Sequence, residues 1–287
     1  MKLISYQHAG RESWGAVVEG QVVDLASPSG IATLAEFVGS PQFAERDALL
    51  ARAGAPVAAF DAVQLLPVIP KPEKIVCAVR NYMDHHQEVL AAGMQRELSE
   101  EPPIFLRVWR SQTPHNGPIV LPRVSETLDW EGELAVIIGQ GGRDIPESEA
   151  FKHVAGYACY NDGSVRDWQR HTSQWVPGKN FWRTGGFGPW MVTSDEIPFG
   201  TSMTLVTRLN GQEMQRATTE MLIHSIAKQI AYVSAIAPLQ PGDVIVTGTP
   251  GGVGARRQPP VWMKAGDVVE IEVDRVGVLR NPIVDEA

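Results

Sequence analysis

Cysteine is scarce: Cys77 and Cys159 are the two in 287 residues. Two thiols cannot build a disulfide framework or a four-thiolate zinc site, so they read as reduced, buried side chains of a cytoplasmic protein. Long apolar runs are missing too. Polar residues interrupt each apolar stretch well short of a membrane span, and the start Met1-Lys2-Leu3-Ile4-Ser5-Tyr6-Gln7-His8 has no signal-peptide core. No membrane partner is expected. Basic runs are equally absent, and 25 Lys and Arg against 33 Asp and Glu give a formal charge of −8. That sign is wrong for a surface that neutralises nucleic-acid phosphates. Several catalytic signatures are missing: there is no His-Glu-x-x-His, no Gly-x-Ser-x-Gly nucleophile elbow, and no Lys-Ser/Thr of a phosphate loop. What remains is an ordinary globular composition, 44% apolar and 20% charged, long enough for one large domain or a small one plus a large one.

Residues 2–6, 14–18 and 21–25 read as strands, the last two joined by a two-residue turn at Glu19-Gly20. Ala- and Leu-rich stretches at 31–38 and 42–53 predict two helices. Pro67, Pro70 and Pro72 then favour an extended connector, which places a boundary between a small N-terminal α/β module, 1–70, and a larger domain, 71–287. In the larger part, Ala135–Gly139 is a buried-strand run, and Ile145–Ala150 opens a helix with Pro and acids in its first turn. Leu205–Leu209 runs into the hairpin signal Asn210-Gly211. The apolar spacing of Leu222, Ile223, Ile226, Ile230, Val233 and Ile236 predicts a helix over 220–236. Residues 243–247 and 268–273 read as late strands. Strands dominate without a βαβ alternation and no repeat is visible, so the class is α+β and β-rich.

In Asp129-Trp130-Glu131-Gly132-Glu133-Leu134, strand periodicity turns the carboxylates of Glu131 and Glu133 to one side. Like charges so placed need a cation, a proton or solvent, and a solvated strand edge is the plain alternative. Asp162, after another apolar stretch, is a third carboxylate; an all-oxygen set suits Mg²⁺, Mn²⁺ or Ca²⁺. In Arg80–Glu88, helical spacing lets Glu88 orient the imidazole of His85. Lys179 sits beside Gly178 in an aromatic neighbourhood. The Gly density of 247–254 suggests backbone close to a ligand.

In order, Asn81-Tyr82-x-Asp84-His85, Glu131-x-Glu133-Leu134, Asn161-Asp162-x-Ser164-x-Arg166-Asp167, Gly178-Lys179-Asn180-Phe181 and Thr247-Gly248-Thr249-Pro250-x-Gly252-Val253-Gly254 resemble the fumarylacetoacetate hydrolase family. The likeness covers roughly 73–284, and 1–70 resembles the N-terminal module of longer bacterial members. It implies a mixed β-roll with a barrel-like core, a homodimer and one divalent ion, Mg²⁺ first, with Mn²⁺ or Ca²⁺ as alternatives. By position Glu131, Glu133 and Asp162 become the metal ligands and His85 with Glu88 the acid/base dyad. Lys179 becomes the charge-stabilising catalytic residue. Tyr82, Arg107, Arg166, Gln169 and Thr249 become substrate contacts, with Thr249 holding a carboxylate.

The implied activity is cleavage of a carbon–carbon bond in a 1,3-diketone or acylpyruvate-type acid through a metal-stabilised enolate, in the catabolism of aromatic or related compounds. Isomerisation, decarboxylation or hydration of a 2-oxo acid is the alternative on the same scaffold, and a non-catalytic binding member with a structural cation is the reading from another class. Two departures stand out. Arg107 occupies a position where the family usually has Lys, and Lys179-Asn180-Phe181-Trp182 replaces the frequent Lys-Ser-Phe-Asp. Trp109, Trp168, Trp175 and Trp182 lie in or beside these segments, which suggests either a bulky or aromatic substrate or simple interface packing. Segment 83–101, rich in charged and small residues, reads as a lid.

Overall fold

The computed structural model describes residues 1–84, 87–88 and 98–287. The first 65 residues supply β1 (Lys2–His8), β2 (Arg11–Val18), β3 (Gln21–Asp24), β4 (Ala58–Ala59) and β5 (Gln64–Leu65). Next come β6 (Ile75–Ala78), β7 (Ile104–Arg107), β8 (Gln112–Thr113) and β9 (Ile119–Leu121). They are followed by β10 (Leu128–Asp129), β11 (Gly132–Ile138), β12 (Val154–Asn161), β13 (Ser164–Val165) and β14 (Gly185–Thr193). The last are β15 (Thr204–Leu209), β16 (Gln212–Thr218), β17 (Val244–Val246), β18 (Val268–Val273) and β19 (Gly277–Asp285).

One large sheet runs in the order β4-β3-β2-β1-β14-β12-β11-β17-β6-β7, with β5 on β1 and β8 on β14. A second sheet runs β16-β15-β18-β19-β9, and β10 pairs with β13 alone. The class is mixed α+β and strand-rich, and among the described residues the sheets stay open rather than closing into a barrel. The N-terminal strands are not a separate sheet: β1 pairs antiparallel with β14, Lys2 opposite Val192 and Leu3 opposite Met191.

β11 explains the layering. Leu134, Val136 and Ile138 enter a core built with the second sheet and the helix Ile226–Ile236. Ala135 and Ile137 enter another, with Trp14, Leu34, Phe37 and Leu49 of the N-terminal segment. A strand covered on both faces needs apolar residues at each position, which is why the sequence shows a run and not an alternation. Trp14 stacks on Phe37 with ring centroids 4.3 Å apart, closing the N-terminal layer.

The hairpin turns are formed where local chemistry predicts them. Glu19 and Gly20 have φ of 49° and 75°, and Asn210 and Gly211 have 52° and 80°. Helices are shorter than the apolar pattern implies. The 31–38 stretch is helical over Leu34–Val38, begun by a capping box between Thr33 and Glu36. The 42–53 stretch is a 3₁₀ turn and the helix Arg46–Ala51. Residues 147–153 form 3₁₀ turns instead of an α-helix. The long helix starts only at Ile226, capped by the Ser225 side chain. Leu222 forms a β-bridge with Tyr82, and the Ile223 amide donates to the Asn81 carbonyl at 2.9 Å, so these apolar residues serve a strand-like contact. No helix among the described residues is long and apolar enough to cross a membrane.

His115 lies where the two halves of the chain meet, its ring 6.4 Å from that of Phe60. Its Nδ1 accepts the Arg280 amide at 3.1 Å, a bond that the protonated ring cannot make. Burial, and then the Arg280 charge, push its pKa down to about 4. The unfolded chain therefore takes up this proton first as pH falls, and stability drops between about pH 6.5 and 4. Denaturant titrations at the two ends of that window should show His115→Gln losing roughly 2 kcal/mol less than the parent protein.

Candidate active site and metal centre

Strand register assembles the acidic cluster. Gly132 at the start of β11 lies opposite Asn161 at the end of β12. Glu131 and Asp162, one residue beyond each, are therefore neighbours: the Asp162 amide donates to the Glu131 carbonyl at 2.8 Å, and the Glu131 amide to Asn161 Oδ1 at 2.9 Å. Glu133 is the next residue on the Glu131 side of the pleat. Carboxylate oxygens of Glu131, Glu133 and Asp162 lie within 4.8 Å of one another, and all three side chains are buried. The solvated-edge alternative is thereby excluded.

Cations compensate unevenly. Lys179, ending the helical turn Val176–Lys179, donates to Glu131 Oε2 and Asp162 Oδ2, each at 2.6 Å, with Nζ 4.9 Å above the Phe105 ring. Burial alone would depress its pKa, but the charges of Asp162 and Glu131 raise it above the ordinary value. Arg107, at the end of β7, donates to Asp162, to the Gly163 carbonyl at 3.1 Å and to Thr184 Oγ1 at 3.1 Å. Arg166 pairs with Asp129 at 2.8 Å and Glu131 at 2.7 Å, and donates to Gln169 Oε1 at 3.0 Å. Its buried Nη2 has no partner among the described residues. Glu133 has no ion pair there either; it accepts the Gly248 amide. Its pKa is pushed well above the usual carboxylate range by burial, then by Asp162 and Glu131.

The glycine-rich stretch serves the acids. Its amides donate from Gly248 to Glu133, from Gly252 to Glu88 Oε1 at 2.7 Å, and from Gly254 to Asp129 Oδ1 at 2.7 Å. Side chains would block this. A Cβ at Gly252, where φ is +97°, would strike the Met214 carbonyl, and one at Gly254 the Val261 carbonyl and the Asp129 carboxylate. The stretch thus approaches side-chain carboxylates, not only a ligand.

A cavity of about 400 Å³ opens on the cluster, lined by Glu131, Glu133, Arg166, Gln169, Lys179 and Thr249, all anticipated from sequence. Thr249 spends its hydroxyl proton on the Gly132 carbonyl at 3.0 Å and accepts from Gln215 at 2.9 Å. Arg107 and Tyr82 are not on the lining: Arg107 is buried behind Asp162. Tyr82 is buried with its hydroxyl unpartnered among the described residues, its pKa raised by burial and by Glu133. Glu88 reaches the site through Gly252. His85 lies outside the described residues, as does most of the lid segment, 85–86 and 89–97.

Of the four tryptophans, Trp175 lines the cavity, 6.4 Å from Phe105. Trp168 packs edge-on against Phe181, Trp109 lies under Arg110, and Trp182 is exposed. Sequence reading missed Asp129, fully buried and accepting from Arg166 and the amides of Trp130, Gly254 and Ala255. It also missed Arg80, Arg170 and Arg256 on the cavity wall. The acidic residue two before Glu131 was a usable signal for the first; nothing local marks the arginines.

The donor set fits a hard divalent cation: three buried carboxylates, oxygen only, one of them without an ion pair among the described residues. Residues 74–284 match the family described as Fumarylacetoacetate (FAA) hydrolase C-terminal. A mitochondrial oxaloacetate tautomerase of Xenopus laevis is 36% identical over 293 residues, 99% of this chain and 90% of that protein. The fumarylacetoacetate hydrolase of psychrophilic Exiguobacterium antarcticum has a TM-score of 0.84 at 30% identity, covering 100% of both chains. The maleylpyruvate hydrolase of Sphingobium sp. SYK-6, solved with manganese(II) and pyruvate, has a TM-score of 0.82 at 27% identity, again over 100% of both. The chain belongs to the fumarylacetoacetate hydrolase family.

Glu133→Gln separates charge from shape, since its amide oxygen can still accept from Gly248. Without metal the variant should be more stable by roughly 1 kcal/mol, because a like charge leaves the cluster. The parent should gain about 2.7 kcal/mol from Mg²⁺ at a hundredfold excess over its dissociation constant, and the variant little or none. Thermal melts with and without Mg²⁺ measure both.

Proposed function

We propose that this protein is a divalent-cation-dependent enzyme that interconverts the keto and enol forms of a 2-oxo acid, with Mg²⁺ as its ion. The observation that carries the reading is the buried triad of Glu131, Glu133 and Asp162 at a cavity wall beside Lys179, with Glu133 in no ion pair among the described residues. A cation held by these three carboxylates would supply the Lewis acidity that eases loss of a proton from the carbon next to the ketone. The protein's own part is charge placement. Lys179, kept protonated by Asp162 and Glu131, presents N–H donors suited to an oxygen that gains negative charge as the enol forms. Arg166, locked by Asp129 and Gln169, keeps Nη2 available for the substrate's carboxylate.

Tautomerisation is preferred over hydrolysis because the Xenopus relative, alike along almost the whole chain, is a tautomerase. Cleavage of an acylpyruvate-type acid is the second reading, favoured by the maleylpyruvate hydrolase likeness; its leaving group is again the enol of a 2-oxo acid. A homodimer in the cytoplasm remains part of the proposal.

The decay of enol-oxaloacetate absorbance tests the first reading, and pyruvate release from acylpyruvates the second. Chelation should abolish the activity and Mg²⁺ restore it. Lys179→Met should lower kcat by about 10²–10³-fold while the Mg²⁺-induced rise in Tm persists. Undiminished turnover after chelation would overturn the proposal.

A further inference from the structure

We propose that Asn180 is a positioning residue: its side-chain amide fastens the strand that carries Arg107 to the helical turn that carries Lys179, so that one side chain sets both cations that grip Asp162. This deepens the function proposed above and rests on the role given there to Lys179. Arg107 and Lys179 come from segments far apart in the sequence. Both reach the same carboxylate, Arg107 through Nη1 at Oδ1 and Lys179 through Nζ at Oδ2. Neither segment has much regular structure to hold it. β7 lies at the end of the large sheet, paired with β6 alone among the described residues, and Arg107 is its last residue. The turn Val176–Lys179 has four residues, too few to hold a helix by its own hydrogen bonds.

Asn180 supplies both supports. An edge strand leaves N–H and C=O groups without a neighbour, and a side-chain amide carries the same donor and acceptor as a peptide. Asn180 Oδ1 accepts the Val108 amide at 2.6 Å, and its Nδ2 donates to the Leu106 carbonyl at 3.2 Å, so the backbone is held on either side of Arg107. The same Nδ2 donates to the Val176 carbonyl at 3.1 Å, which closes the turn back onto its first residue. Two further contacts narrow the freedom of the lysine. Its ammonium stands 4.9 Å above the ring of Phe105, itself in β7. A Cβ at Gly178 would strike the Gln169 amide nitrogen, so the turn packs directly on neighbouring backbone. Thr184 adds a second tie between the guanidinium and this segment: its Oγ1 accepts from Arg107 Nη2 at 3.1 Å and donates to the Phe181 carbonyl at 2.9 Å. A serine hydroxyl at position 180 would have one proton to give and could not serve two carbonyls. The amide thus links the two donors of Asp162 through their main chains, without touching the carboxylate itself.

Steady-state kinetics of the Mg²⁺-loaded protein on enol-oxaloacetate test this in two variants. Asn180→Leu keeps the size of the side chain and none of its hydrogen bonds, while Asn180→Ser keeps one donor and one acceptor. Asn180→Leu should lower kcat by about ten- to a hundredfold with little change in KM, because the charges around Asp162 are misplaced and not removed. Asn180→Ser should lie between that variant and the parent, and it carries the test should Asn180→Leu not fold. A persisting Mg²⁺-induced Tm rise identifies a folded variant. In a Lys179→Met background the same substitution should cost several-fold less, since part of its effect acts through the missing ammonium. A kcat at the parent's level in a folded variant, or an equal fold loss with and without Lys179, would overturn the inference and leave the proposed function standing. If the parent itself does not turn over enol-oxaloacetate, the keto–enol reading falls and this inference with it.

Discussion

Four carboxylates that cannot all be left bare in a buried space organise this molecule. Asp129, Glu131, Glu133 and Asp162 come from the end of β10, the start of β11 and the residue after β12. Each is shielded from water, and burying such a charge costs several kcal/mol unless hydrogen bonds or opposite charge offset it. Arg107, Arg166 and Lys179 bring three positive charges from separate segments, and the glycine-rich stretch brings amides. The compensation is spent mainly on three of the four acids. Glu133 remains the place where positive charge is still wanted, which is the physical content of a metal site built into the fold.

That arrangement was half legible in the amino-acid sequence. Glu131 and Glu133 could be paired because a strand repeats every two residues, and the turns at Glu19-Gly20 and Asn210-Gly211 because positive φ is a local demand. Asp162 was legible as a third candidate carboxylate after an apolar stretch, but its place as a ligand, like the role of Lys179, came through the resemblance, since closeness to Glu131 depends on a register between strands that no local pattern encodes. Arg107 was legible as a departure but not as a buried clamp on Asp162. The helix over 220–236 was drawn too long because Leu222 and Ile223 have helical spacing yet are held by Tyr82 and Asn81, more than a hundred residues away. Tertiary contacts of that kind override periodicity.

The tryptophans were legible in the sequence only as neighbours of the site motifs. Four tryptophans near site motifs are close in sequence to the chemistry, but a side chain's direction decides what it touches. Trp175 reaches the cavity while Trp182 turns to solvent. The walls combine charged side chains with the rings of Phe105 and Trp175. Tautomerisation and carbon–carbon cleavage then differ less than their names imply, because in either reaction an oxygen gains negative charge, which the Lys179 ammonium and a cation held by the three carboxylates would favour.

Gly252 has a consequence that reaches beyond its own turn. Its amide grips Glu88, while Gly248, four residues earlier, grips Glu133, and Gly254 grips Asp129. One short, glycine-rich ribbon is therefore tethered to three acids, Glu88 from one segment and Asp129 and Glu133 from another. Glu88, Glu133 and Asp129 thus share one strip of backbone as their hydrogen-bond donor, and a side chain forced in at Gly252 or Gly254 would displace the strip that all three acids hold.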